Sequence, residues 1–252
     1  MKYLVLLSLL LATVRGLALS DRELESIGRQ VWQNECGGTR DGLTSWNAGE
    51  TFASLGIGHF IWYPAGQNGP FEESFPKLVR FLAAQGAKPP AWLEGDCPWR
   101  TRAEFQADFQ STRMKALREL LAGTIQFQAR FLAHRMEEAL PKMLAAAPVG
   151  ERPNVRAQFQ RLVAIGSGTF ALIDYVNFKG EGTKESERYR GQGWGLLQVL
   201  EGMRGAGPHP AQEFGESAAA VLTQRVENAP PARNEQRWLV GWKSRVRSYG
   251  TE

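Results

Sequence analysis

The chain has 252 residues, of which 43% are hydrophobic and 22% charged, and its formal net charge is +4. This composition is typical of a globular protein and excludes a disordered or low-complexity chain. The small positive excess suits the surface of an anionic polymer. It is too small for a dedicated nucleic-acid-binding protein, so we expect no nucleic-acid partner.

The first 18 residues have the pattern of a secretory signal peptide. Lys2 precedes an apolar run from Leu4 to Ala12, and Gly16 and Ala18 are small residues that suit cleavage after Ala18. The run is too short for a membrane-spanning helix, although a permanent N-terminal anchor is the alternative. We therefore expect a secreted or periplasmic protein with one mature domain over 19–252 and no membrane anchor after cleavage.

The chain contains two cysteines, Cys36 and Cys97. In an exported protein an isolated pair predicts one disulfide, which here would join the segment beside Glu35 to the loop around Trp99. Two buried free thiols are the alternative. The cysteines and the three histidines lack the spacing of metal ligands, and we expect neither a metal nor another cofactor.

The first predicted element is an amphipathic helix over 21–34. Ser20 and Glu23 have the spacing of a capping box, which marks a helix N-terminus. Apolar residues then recur at helical spacing, and Gly37-Gly38 ends the helix. Glu35 therefore lies at the C-terminal end of this helix.

The next segment, from Leu43 to Ile61, predicts a β-hairpin. Its large apolar residues alternate with small ones, and Asn47-Ala48-Gly49-Glu50 provides a turn. We expect a small β lobe over about 35–65.

The remainder predicts a larger helical lobe. Helices are expected over Phe75–Ala84, from a capping box at Thr101 and Glu104 to about Leu121, and from Gly123-Thr124 to about Ala145. A long apolar-periodic run, a Gly-rich loop and three further helices follow, over 154–178, 179–193, 194–203, 211–226 and 233–249. The predicted fold class is α+β, mostly helical.

Glu35 is the strongest candidate for a catalytic residue. A helix C-terminus disfavours negative charge, and this favours a protonated carboxyl that could donate to a leaving oxygen. Glu50 in the predicted turn could face it across a cleft, with Asp41 as the competing second carboxylate, and the Ser54 hydroxyl could position a water. Two carboxyls on different elements are what glycosidic bond cleavage uses, at about 5 Å in retaining enzymes or roughly 6.5–9.5 Å in inverting ones.

Further residues are candidates for binding a sugar chain. Trp46, Trp62 and Tyr63 flank the hairpin and could stack on sugar faces, because aromatic rings combine flat apolar surfaces with polar edges. The polar Gly-rich loop, with Asn177 just before it and Glu181 within it, could form a cleft wall. Core packing of the aromatic residues and a solvated loop are the alternatives.

These residues resemble the phage-lysozyme (muramidase) type of the lysozyme-like superfamily. Glu35, a hairpin and Gly56-Ile57-Gly58-His59 follow one another as in that family. Ala171-Leu172-Ile173-Asp174 with Phe178-Lys179-Gly180-Glu181 is similar to its "ALIN…FQMGE" helix and loop, and Trp194 to Met203 occupies the place of a short helix. Asn228 to Arg233, with Arg237, resembles its closing "N-x-x-P-x-R-x-x-x-R" segment.

The resemblance implies a lysozyme-like fold and a role for several residues. Glu35 matches the general acid, Ser54 replaces a Thr on the water side, and Arg233 is the implied partner of the acid. His59 matches a structural or cleft-side residue. The family's hairpin Asp is absent, and Glu50 is its substitute here.

We therefore expect a monomeric glycoside hydrolase that cleaves β-1,4 bonds of peptidoglycan or a related amino-sugar polysaccharide. A lytic transglycosylase or chitosanase of the same superfamily is one alternative, and a catalytically inactive wall-binding protein of the same fold is the other.

Overall fold

A computed structural model describes residues 19–251. Within this range the chain forms ten α-helices, a three-stranded antiparallel sheet and a two-stranded antiparallel sheet. The predicted α+β class with mostly helical content is confirmed. The predicted signal peptide lies outside the described residues. No helix between residues 19 and 251 is long and apolar enough to cross a membrane.

Helix α1 (Asp21–Cys36) begins and ends at the predicted signals. The Ser20 side chain accepts from the Glu23 backbone N–H, and the Glu23 carboxylate accepts from the Ser20 backbone N–H at 2.7 Å. Gly37 ends the helix in the left-handed conformation at φ 60°, which a residue without a Cβ adopts at little cost. The last turn of α1 therefore presents Glu35 next to a fixed chain reversal.

The small lobe contains three short strands rather than the predicted hairpin. Strands β1 (Thr44–Ser45), β2 (Ala53–Leu55) and β3 (Phe60–Trp62) pair in that order, with Leu55 opposite both Thr44 and Phe60. The second reversal runs from Gly56 to His59, whose φ values are 75° and 49°. A tight turn of positive φ thus returns the chain immediately after β2 and makes room for a third strand.

The helical lobe follows the predicted order, but the stretch after Thr101 and the run over 154–178 are each divided into two helices. A single helix was expected from Thr101 to about Leu121, but Ser111 caps a new helix there by accepting from the Met114 backbone N–H. The helices between the small lobe and the Gly-rich loop are α2 (Phe75–Ala84), α3 (Arg102–Asp108), α4 (Thr112–Ala122), α5 (Ile125–Ala146), α6 (Arg152–Val163) and α7 (Gly166–Lys179).

The last part of the chain closes the helical lobe over the end of α7. The Gly-rich loop forms a short hairpin of strands β4 (Arg188–Tyr189) and β5 (Gln192–Gly193). Helices α8 (Leu196–Gly202), α9 (Pro210–Asn228) and α10 (Gln236–Arg247) follow, and α10 packs along α9. This arrangement places α10 close to α7 and to the C-terminal end of α1.

The predicted disulfide is wrong, because Cys36 and Cys97 are both free, buried thiols. The Cys36 thiol lies 3.6 Å from the Gly56 carbonyl oxygen, whereas the Cys97 thiol lies 3.5 Å from its own neighbour, the Trp99 carbonyl oxygen. Each thiol therefore contacts a different backbone carbonyl oxygen. Burial raises the pKa of Cys36 to about 12, with Glu35 adding to the effect, and burial raises the pKa of Cys97 to about 11.

We expect both thiols to be inert in the folded protein at neutral pH, because the thiolate is the reactive form. Iodoacetamide should leave the native protein unmodified. Without any reductant, it should add to both cysteines once the chain is unfolded in urea, as measured by intact mass. An unfolded, unreduced protein that takes up no adduct would mean that the disulfide exists after all.

Candidate active site

Glu35 lies at the junction of the two lobes with its side chain 14% exposed. Its Oε1 accepts from the Arg245 guanidinium at 2.5 Å and from the Asn177 amide at 3.4 Å. Its Oε2 lies 3.4 Å from Nδ1 of His59. Helices α1, α7 and α10 and the Gly56–His59 turn therefore converge on one carboxyl that remains open to solvent.

Arg245 holds Glu35 through a larger buried cluster. Its Nε and Nη2 donate to the two carboxylate oxygens of Asp174 at 2.8 and 2.7 Å. Asp174 is fully buried, and it also accepts from the Tyr249 hydroxyl at 2.5 Å and from the Asn34 amide at 3.3 Å. A bidentate pair fixes the plane of the guanidinium, so Arg245 is a rigid donor for Glu35.

The predicted acid partner Arg233 is wrong, and Arg245 has that position instead. Arg233 ends the turn Pro231–Arg233 before α10, where its side chain is 62% exposed and lies 3.8 Å from Glu235. Arg245 is twelve residues further along and borders the buried face of α10. Glu35 therefore does have an arginine partner, but that partner lies beyond the segment 228–237 that the resemblance names.

The cluster contains two carboxyl groups but only one guanidinium. Glu35 and Asp174 share the single guanidinium of Arg245. Asp174 takes two of its N–H groups and two further donors, whereas Glu35 takes one N–H and a long amide bond. Glu35 therefore has fewer donors than Asp174 and is the more exposed of the two carboxyls.

His59 and Asn177 are brought to Glu35 as site residues. His59 has a φ of 49°, an uncommon conformation for a side chain other than glycine, and its backbone N–H donates to the Gly56 carbonyl at 3.2 Å. A Cβ at Gly58 would lie 3.1 Å from the Asn177 side-chain oxygen. Glycine at this position therefore lets the turn approach α7 closely.

Lys179 packs its amine against the aromatic rings of Phe178 and Trp242 beside the cluster. The sequence does not predict it as a site residue. Its amine lies 3.8 Å from the centroid of the Phe178 ring and 3.5 Å from that of Trp242. Phe178 also contacts Arg245, whose guanidinium carbon lies 4.1 Å from the centroid of the Phe178 ring. Burial, together with Arg225 and Arg245, lowers the pKa of Lys179 to about 6.

This lowered pKa predicts a dependence of stability on pH. An unfolded Lys has a pKa of about 10.4, so above about pH 6 the unfolded chain binds a proton that folded Lys179 does not. The free energy of unfolding should therefore rise with pH between those two values. Lys179→Met should lose this contribution. Urea titrations of both proteins between about pH 6 and pH 8, below the ordinary thiol pKa, measure the difference. Parallel pH profiles would contradict it.

The second carboxylate is not found among the contacts of Glu35. Glu50 accepts from the Asn47 amide at 3.1 Å, within the turn before β2. Asp41 is 68% exposed and lies 3.5 Å from Arg118. Ser54 is buried on β2 opposite Ser45 and Ile61. Within residues 19–251 none of the three has a recorded contact with Glu35, so their proposed roles rest on the sequence resemblance.

The aromatic residues predicted to bind sugars are in the core instead. Trp62 is 2% exposed and packs against Phe75, Trp92 and Trp99. Trp46 is 6% exposed and packs on Phe105, and Tyr63 is 3% exposed. Rings without exposed faces cannot stack on a ligand, so this prediction is corrected.

Glu181 forms a lobe-internal contact rather than a contact with Glu35. Its carboxylate pairs with the amine of Lys142 on α5 at 2.9 Å, and its backbone carbonyl accepts from Leu197. It therefore attaches the start of the Gly-rich loop to α5 and α8. No group of three or more His, Cys, Asp or Glu side chains in the described part of the chain could hold a metal ion.

A surface cleft beside the cluster does not include Glu35 among its lining residues. Two of its lining residues, Asn34 and Tyr249, are donors to Asp174, and its remaining walls come from α1, the start of α7 and the C-terminal turn. It has no titratable group besides Tyr249 and therefore offers no acid or base.

Comparisons with models of protein families, with curated proteins and with solved structures gave no match.

Proposed function

We propose that this chain is a secreted glycoside hydrolase of lysozyme-like fold that cleaves β-1,4 bonds of peptidoglycan, between N-acetylmuramic acid and N-acetylglucosamine. The observation that carries the proposal is the position of Glu35. It is a partly exposed carboxyl at a helix end, held by Arg245 and bordered by the Gly-Ile-Gly-His turn and Asn177. The ordered sequence motifs support the same assignment.

In the proposed mechanism Glu35 is the general acid. Its proton passes to the glycosidic oxygen as the bond to the anomeric carbon breaks, and the ring oxygen stabilises the developing oxocarbenium ion. The partial exposure of Glu35, against the complete burial of Asp174, supports Glu35 as the carboxyl of this cluster that a substrate can reach. After cleavage, the Glu35 carboxylate gains the attraction of Arg245.

Water then attacks the anomeric carbon and gives up a proton. Glu50, or Asp41, is our proposed carboxylate on the water side, with the Ser54 hydroxyl as a positioning group. These assignments come from the resemblance and from the order of residues along the hairpin. A substrate at the exposed side of Glu35 would also meet His59, whose Nδ1 lies 3.4 Å from the Glu35 carboxylate.

A lytic transglycosylase is the second candidate, and one observation favours it. The carboxylate that shares Arg245 with Glu35 is Asp174, which is fully buried and accepts four hydrogen bonds. It cannot activate water. A transglycosylase needs no water, because the C6 hydroxyl of the muramic acid residue attacks the anomeric carbon and closes a 1,6-anhydro ring.

Mass spectrometry of digested peptidoglycan tests the proposal. Incubation of the purified protein with isolated peptidoglycan should release muropeptides with reducing N-acetylmuramic acid ends. Products with 1,6-anhydro ends, lighter by one water, would establish the transglycosylase instead. An absence of any released product would leave the catalytically inactive wall-binding protein and would contradict both enzymes.

A further inference from the structure

Helix α10 carries a pair of tryptophans on its outer side. Trp238 is 43% exposed, and its ring stacks on that of Trp242 with centroids 5.9 Å apart and planes 28° apart. The two residues are one helical turn apart and therefore share a face. Val240 is 80% exposed but lies two positions from each, and so on a different face.

The tryptophan pair is continuous with the Glu35 site. Trp242 meets the edge of Phe178 with centroids 6.4 Å apart, and Phe178 lies under the Arg245 guanidinium. Arg245 in turn donates to Glu35. The rings of Trp238, Trp242 and Phe178 thus form one strip that runs from the exposed side of α10 to the acid.

The same surface is positively charged. Helix α10 contains no Asp or Glu, and its basic residues are Arg237, Lys243, Arg245 and Arg247. The guanidinium carbon of Arg237 lies 4.2 Å from the centroid of the Trp238 ring. The nearest acid in sequence, Glu235, is buried and neutralised by Arg225. A ligand at Trp238 therefore meets a flat aromatic ring and the Arg237 guanidinium together.

We propose that the exposed ring of Trp238, supported from behind by Trp242, forms with Arg237 a binding subsite for a peptidoglycan strand outside the cleavage point. This inference rests on the proposed function and names the ligand chemistry for it. An aromatic ring binds the apolar face of a sugar, and a guanidinium binds a carboxylate. Peptidoglycan offers both, since its stem peptides, or the lactyl groups that carry no peptide, bear carboxylates.

The charge of the subsite separates this ligand from two others. Chitosan is a cationic polysaccharide, so the basic residues of α10 would repel it. An anionic membrane would attract the same charges, but Trp238 lies flat against Trp242 rather than protruding from the helix. The rings also lead into the Glu35 site, which a membrane surface would not enter.

Binding by the Glu35→Gln protein tests the subsite without degradation of the ligand. The protein is sedimented with insoluble peptidoglycan, and in parallel with chitosan and with phosphatidylglycerol vesicles. We expect Trp238→Ala, made in this background, to raise the Kd for peptidoglycan about tenfold. Trp238→Phe keeps a ring and should retain most of the affinity. Val240→Ala, the matched exposed change on the same helix, should leave the Kd unchanged.

Several outcomes would overturn the proposal. Equal peptidoglycan binding by Trp238→Ala and its parent would remove Trp238 from the site, as would an equal loss with Val240→Ala. Trp238-dependent binding to vesicles or chitosan, without binding to peptidoglycan, would assign the surface to another ligand. Cleavage by the wild-type protein is measured separately. Trp238-dependent binding without cleavage would leave the subsite in place and remove the proposed hydrolase.

Discussion

Glu35→Gln should reduce the rate of peptidoglycan cleavage by roughly 10²–10⁴, the usual contribution of a general acid. Glutamine keeps the size of the side chain and can still accept from Arg245 through its amide oxygen. It cannot deliver a proton to the leaving oxygen. The effect should therefore appear in the turnover rate, while thermal unfolding and binding to the insoluble substrate change little. The clearance of a peptidoglycan suspension measures the rate.

The matched control is Glu25→Gln in the same helix. Glu25 pairs with Arg29 on the surface of α1 and has no contact with the site. Its replacement should leave clearance at the wild-type rate. If Glu35→Gln and the wild type clear the suspension equally fast or equally slowly, Glu35 is not the acid.

Asp174→Ala should have the largest effect on stability, lowering the free energy of unfolding by about 3–5 kcal/mol. The change leaves the charge of Arg245 without its bidentate partner and leaves the Tyr249 hydroxyl without its acceptor. Removing one member of a buried ion pair is costly because the other stays buried with unmet hydrogen bonds, and here Arg245 would keep only its single bond to Glu35. Urea unfolding, with the slope compared between variants, measures the difference.

Glu119→Ala provides the control for this prediction. Glu119 pairs with Arg40, but its side chain is 65% exposed, and exposed ion pairs contribute at most about 1 kcal/mol. A loss for Asp174→Ala no larger than that for Glu119→Ala would mean that the Arg245–Asp174 pair does not hold the site together.

Local sequence signals predicted most helix ends. The Ser20 and Glu23 capping box and the φ-positive Gly37 define α1 within the chain itself, and α2 matches its predicted bounds. The prediction of a single helix after Thr101 is wrong for a local reason as well. Ser111 can cap a helix, and its capping bond competes with continuing the helix from α3.

The partner of Glu35 could not be derived from a motif alone. The sequence contains several arginines near its end, and which one reaches Glu35 depends on how α10 packs on α7 and α9. One signal was nevertheless available. Asp174 lies within an apolar run, and a charge buried there requires a cationic partner. This reasoning predicts a buried Asp–Arg pair, although it does not identify Arg245.

Whether each aromatic residue is buried or exposed depends on segments that are distant in the sequence. Trp62 is covered by Trp92 and Trp99, which come from the connector after α2. Sequence spacing within the hairpin contains no information on that packing. Conversely, Trp238 and Trp242 have the spacing of core residues on a helix, yet Trp238 is exposed because no element within residues 19–251 covers that end of the α10 face.

Cleavage of peptidoglycan in H₂¹⁸O, with mass analysis of the released ends, tests the central claim most directly. We expect the wild-type protein to release reducing ends carrying one ¹⁸O from water, and Glu35→Gln to release almost none. Labelled ends formed equally by both proteins, or an absence of labelled ends with the wild type, would contradict it.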